Sequence, residues 1–214
     1  MSQIKKIEVD MNAKRLEEDL GRYVEKAVEL GATRAKVVPV GEIPVDERVT
    51  LKCQIPRCFG YGAGAHCPPN TLKPAELREL LTKYARAVLF IKEVPPEVIV
   101  RSKQTIKERV DAYQQVYKIV TEVESMAFYD GHYFAFGFGA GSCRHTFCGQ
   151  QKDCQALSGD KCRFPLIARP SMEAVGIDVY QMVAKAGWDI YPIGSGAKAE
   201  DVTKGTLAGI VIVQ

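Results

Sequence analysis

Apolar residues recur at helical spacing over residues 12–30, where Leu16, Leu20, Tyr23, Val24, Ala27 and Leu30 line one side and Gly31 supplies a stop. A longer helical pattern covers 103–129, with Ile106, Val110, Tyr113, Tyr117, Val120, Val123 and Ala127 on its inner face and Gly131 at its end. Shorter helices are predicted from Pro74 to about Tyr84, from Ser171 (SMEAVG), and after Asp178, with Gln181 as its capping-box partner and Gly187 as the stop. Strand patterns fall at 4–9, at 35–40 with Pro39 marking an end or an edge, at 86–93, at 132–138 and at 209–213, and WDIYPI (188–193) reads as a strand or extended segment. The run at 86–93 is apolar through its centre, which predicts burial on both faces by covering helices. The alternation predicts one domain, residues 1–214, of the α/β class, with a mixed, mostly parallel sheet flanked by helices.

Two stretches break this rhythm. Residues 53–69 read CQIPRCFGYGAGAHCPP, and residues 134–162 read FAFGFGAGSCRHTFCGQQKDCQALSGDKC. Both contain Gly-aromatic-Gly-Ala-Gly followed by a small residue and a cysteine, and the order helix, strand, cysteine loop, helix, strand surrounds each, which suggests two similar halves. In a mostly parallel sheet both loops leave the same edge, where open α/β sheets bind ligands, so the two are expected to lie close together.

Composition narrows the chemistry. A chain of 214 residues can bury a proper core, and 46% apolar with 26% charged residues is ordinary for a globular protein. A net charge of +3 is too small to imply a nucleic-acid partner, and no run of 18 apolar residues suggests a membrane span. The first residues lack the apolar core of a signal peptide, so a cytoplasmic location is expected. In a reducing compartment clustered thiols are more often metal ligands or catalysts than disulfides, and an odd count of seven also argues against a closed disulfide framework.

The cysteines are spaced Cys53-x4-Cys58-x8-Cys67 and Cys143-x4-Cys148-x5-Cys154-x7-Cys162. No C-x2-C knuckle is present, so the usual zinc-ribbon spacing is missing, although zinc stays open because ligand spacing varies. Four thiolates within the second stretch suit a 4Fe–4S cluster or a tetrahedral zinc. Cys67-Pro68 is like the Cys-Pro step that ends bacterial ferredoxin motifs. One or two clusters are therefore expected, with all seven cysteines as ligands. The first set is one ligand short: an iron could stay open, a fourth ligand could come from His66, His145, an acidic side chain or another subunit, or cysteines could be shared across the loops. His66 adjoins Cys67, and neighbouring side chains tend to point apart, which argues against its joining that set. His132 and His145 read as hydrogen-bonding histidines. Arg169 faces an anion or the cluster, or else solvent as a helix-start arginine. Gly137-x-Gly139-x-Gly141 fails the dinucleotide spacing, and no P-loop, G-x-S-x-G or H-E-x-x-H occurs.

At these residues the chain resembles a family of predicted metal-binding proteins of anaerobic bacteria and archaea. The carriers are Cys53, Cys58, Cys67, Pro68 and Pro69, and the block from Cys143 through Cys162 into FPLIARPSMEAVGIDV, residues 164–179. The resemblance covers about residues 35–190 and implies metal binding by cysteines, iron–sulfur in kind, in anaerobic metabolism; it implies no reaction. Three functions follow as expectations: an electron carrier with a redox partner protein, an enzyme with an open iron, or a zinc protein whose metal holds the loops. A homo-oligomer is compatible with each.

Overall fold

The computed structural model describes residues 4–7, 12–100, 105–194 and 196–214. The Asn12 side chain accepts the Lys14 N–H at 2.8 Å and so caps α1 (Ala13–Glu29). Gly31 follows that helix with a φ of 100°, a left-handed turn that a side chain would resist. The chain continues through β1 (Arg34–Pro39), α2 (Glu47–Gln54), α3 (Pro74–Leu81), β2 (Arg86–Val94), α4 (Pro96–Ile99) and α5 (Ile106–Tyr129). It ends with β3 (Phe136–Phe138), α6 (Cys143–Phe147), α7 (Val179–Lys185) and β4 (Gly205–Ile212).

The sheet has the order β1-β2-β4-β3, and every neighbouring pair is antiparallel. The expectation of a mostly parallel sheet is therefore wrong. Its basis was the apolar run of β2, and that run reports only that both faces are covered. Val88 and Phe90 point to one side, against α1 and α5, while Ala87, Leu89 and Ile91 point to the other, against α3 and α7. The same alternation in β4 puts Leu207 and Val211 on the first face and Ala208, Ile210 and Ile212 on the second. Two-sided burial is a property of the layers and does not fix strand direction. The connections are long enough to return the chain to either end, so nothing in the pattern selects parallel pairing.

The idea of two similar halves does not survive with the parallel sheet. The element order does recur, but β1 has six residues and β3 three, and the second cysteine stretch is mostly turns. Residues 4–7 form no regular element, and 8–11 lie outside the described residues. The SMEAVG helix is one 3-10 turn, Glu173–Val175, and WDIYPI forms no strand. Asp178 caps α7 by accepting the Gln181 N–H at 3.0 Å. Among the described residues no helix is long and apolar enough to cross a membrane.

Candidate metal centre

Cysteine placement begins with local structure. α2 starts at Asp46, whose carboxylate accepts the Arg48 N–H, and carries Cys53 in its last turn. The chain then turns repeatedly through Cys58 and Cys67, with the Cys58 N–H donating to the Cys53 carbonyl at 2.9 Å. In the second stretch Cys143 opens the short α6, and Cys148 closes it by donating its N–H to the Arg144 carbonyl. The Arg144 guanidinium donates to the carbonyls of Cys148 and Gln151, clamping the turn that follows. None of the seven cysteines is in a disulfide; Cys67 is buried and the others are partly exposed.

The two stretches meet. The Cys67 thiol donates to Ser142 Oγ at 3.3 Å, and Cys143 Sγ lies 3.6 Å from His66 Nδ1. A Cβ on Gly60 would sit 3.4 Å from Cys67 Sγ, and one on Gly64 would press on Arg144 at 3.2 Å, so both glycines permit this approach. The Phe59 and His145 rings stack edge-on across the junction with centroids 4.3 Å apart. β1 and β3 run in opposite directions, so the loops are joined by these contacts and not by leaving one edge of a parallel sheet.

The electrostatics of the junction follow from crowding like groups away from water. Burial, then the charges of Cys67, Cys154, Cys162 and Cys148, push the Cys143 thiol up to about 12. Burial, then Cys58, Cys67 and Glu173, push Cys53 up to about 11. Burial also raises Cys67, partly offset by its bond to Ser142. These couplings place cysteines of both stretches within electrostatic reach of one another. Backbone donors also point at sulfur: Gly60 N–H to Cys58 Sγ at 3.5 Å and Phe164 N–H to Cys162 Sγ at 3.4 Å. Among the described residues no three His, Cys, Asp or Glu side chains are arranged to hold a metal ion. Even so, the donor chemistry fits a metal group, because thiolates gathered this way need positive charge among them.

Glu173 completes the picture, and sequence reading did not single it out. Its turn packs under α2, where the Asp46 N–H donates to the Gly176 carbonyl and the Asp178 N–H donates to the Pro44 carbonyl, both at 2.9 Å. Its Oε2 is buried without a hydrogen-bond partner among the described residues, and burial raises the carboxyl above its ordinary value. The only signal in the sequence was an acidic residue within SMEAVG.

The remaining expected candidates fall elsewhere. Arg169 faces neither a free anion nor solvent: it forms a paired bond to Glu124 of α5, at 2.5 and 2.9 Å, and lies over the Phe136 ring. Glu124 also accepts the Gly137 N–H at 2.7 Å. His132 is buried far from the junction, within 3.2 Å of Asp19 Oδ2 and of Gln214 Oε1.

An antiparallel sheet covered by helices, with two cysteine-bearing loops in contact, offers thiol donors of the kind that hold soft metals. The chain matches the family model described as predicted metal-binding protein (DUF2284) over residues 36–213, and it belongs to that family. No curated protein and no solved structure matches it.

Proposed function

We propose that the chain is an iron–sulfur protein that carries electrons. The observation that carries this reading is the meeting of two loops that carry seven thiols between them, where burial and neighbouring thiols push Cys53 and Cys143 up. Seven sulfur ligands exceed the four positions of one tetrahedral zinc, and iron–sulfur clusters take thiolate ligands of this kind. The N–H groups aimed at Cys58 and Cys162 are the donors by which proteins tune cluster potentials. Cys143, Cys148, Cys154 and Cys162 would hold one 4Fe–4S group. Cys53, Cys58 and Cys67 would hold a second, with Glu173, whose Oε2 has no hydrogen-bond partner among the described residues, as the acidic fourth ligand. A closed set of ligands favours electron transfer over chemistry at an open iron. Partly exposed thiols at the loop surface suit docking of a redox partner protein in a reducing cytoplasm.

The test is anaerobic purification followed by absorption near 400 nm, with iron, zinc and acid-labile sulfide analysis. Brown protein with iron and sulfide in near-equal amounts is expected, bleaching on reduction and recovering on oxidation. Stoichiometric zinc without sulfide would overturn the reading. Cys148→Ser should lower the iron content while leaving far-ultraviolet circular dichroism unchanged.

A further inference from the structure

Beside the cysteine junction lies a cavity of about 610 Å³, within the size range of small-molecule sites. Its walls come from α3, the first cysteine loop, the turn before β3 and the strands β3 and β4. α3 supplies Leu77 and Leu80, the turn before β3 supplies Tyr133 and Phe134, and the first cysteine loop supplies His66 and Asn70. Among the described residues no lysine, arginine, aspartate or glutamate lines it. A ligand that carries phosphate or carboxylate would therefore find no counter-charge there, and an uncharged one loses nothing by its absence.

The rim is unusual for a surface. Phe134 is 69% exposed and Leu80 48% exposed, and both face the same cavity. Covering the exposed part of each would contribute roughly 1 kcal/mol, so a grouped pair beside a concave wall marks a place for an apolar ligand. The wall is also held in position: the Tyr84 hydroxyl donates to the Phe134 carbonyl at 2.9 Å, and the Tyr133 and Phe134 rings lie 4.5 Å apart. Flat aromatic walls of this kind accept the face or edge of another ring. His66 is one of the few polar side chains in the cavity's walls. Its Nδ1 is taken by Cys143 at 3.6 Å, which leaves Nε2 as the ring nitrogen available to a ligand.

We propose that this cavity binds an uncharged aromatic small molecule, of two or more fused rings, through its apolar walls, with a hydrogen-bonding oxygen of the ligand at His66. The site abuts the proposed ligands Cys67 and Cys143 but has no cysteine in its walls, so it can be tested whether the cysteines hold iron, zinc or no metal. Its position puts a bound ring next to the side chain that touches Cys143.

The test uses the full chain as purified, titrated with Nile red and followed by fluorescence. Saturable binding of one dye per chain is expected. Leu80→Glu and Phe134→Ser change exposed rim residues and leave the core alone; each should weaken the dye by about tenfold or more. Displacement of the dye by 2-naphthol should need less ligand than displacement by naphthalene, and His66→Phe should abolish that preference. Metal content should be the same in the wild type and both rim variants, which separates this outcome from any failure of the iron–sulfur reading. The proposal is overturned if the dye does not saturate, or if both rim variants bind it as the wild type does. It is also overturned if sedimentation shows the chain dimeric and either rim variant monomeric, because a second copy would then be what covers the wall.

Discussion

Glu173 is held where a carboxylate is least comfortable, with Oε2 buried and lacking a partner among the described residues, and its charge helps to raise the Cys53 thiol. Its own pKa is raised, chiefly by burial. A carboxyl that binds its proton more tightly when folded favours folding below its unfolded pKa, about 4.3, and costs stability as pH climbs through the raised folded value. Glu173→Gln removes that cost. In metal-free protein the variant should therefore be more stable at pH 8, by about 1–2 kcal/mol in urea unfolding, with the gain vanishing near pH 4. In the loaded protein it should lower iron content, since the amide is the poorer ligand; unchanged iron would remove Glu173 from the ligand set. Asp19 shows the opposite sign. Burial alone would raise its pKa, but hydrogen bonds from Arg22, Lys5 and His132 outweigh burial and hold it below the ordinary carboxylate range. Its contribution is present above an unfolded pKa near 3.9 and is lost as pH falls through the lower folded value. Asp19→Asn should cost about 3 kcal/mol at pH 7 and should flatten the acid limb of a stability–pH curve.

The long helix α5 explains a glycine series that the sequence placed beside the cysteines. Tyr113, Tyr117 and Val120 lie on one face of that helix, and they press on Gly141, Gly139 and Gly137 in turn. A Cβ on Gly139 would stand 2.8 Å from the Tyr117 ring, and Gly141 adds a φ of 66°. These glycines serve the packing of β3 and its continuation on α5, whereas Gly60 and Gly64 serve the approach of the two loops. Gly139→Ala should destabilise the fold by about 1–3 kcal/mol through overpacking, read as a lower melting temperature; Gly21→Ala, on an open stretch of α1, should not. Helix α5 was visible because Ile106, Val110, Tyr113, Tyr117, Val120, Val123 and Ala127 repeat at its period over about six turns. α2 was not, since none of its residues is buried and a period needs an apolar side to show. β3 was drawn too long because Phe134, Phe136 and Phe138 alternate like strand residues, while the structure uses Tyr133 and Phe134 in the turn that walls the cavity.

At the scale of the whole molecule, the layers were readable and their connectivity was not. Alternation in β2 announces a sheet covered on both faces, yet β4 enters between β2 and β3 from far along the chain, and no local pattern encodes that insertion. The meeting of the cysteine loops was likewise expected, for a reason the antiparallel sheet removes; the contacts that make it, Cys67 with Ser142 and Cys143 with His66, join residues too far apart in sequence to be read from spacing. This architecture separates two kinds of stability. The sheet buries Val88, Phe90, Leu89, Ile91, Ile210 and Val211 without any help from the loops, whereas the loops hold few regular elements and depend on the groups at their junction. Metal binding free energy should therefore fall on the loops and not on the core. Stripping metal with a chelator under reductant should leave the far-ultraviolet circular dichroism close to that of the loaded protein. Hydrogen exchange should then speed up in residues 55–69 and 143–163 while amides of β2 and β4 keep their protection. Loss of protection in β2 and β4 together with the loops would mean that metal and core fold as one unit, and the sheet would no longer count as the independent scaffold of this centre.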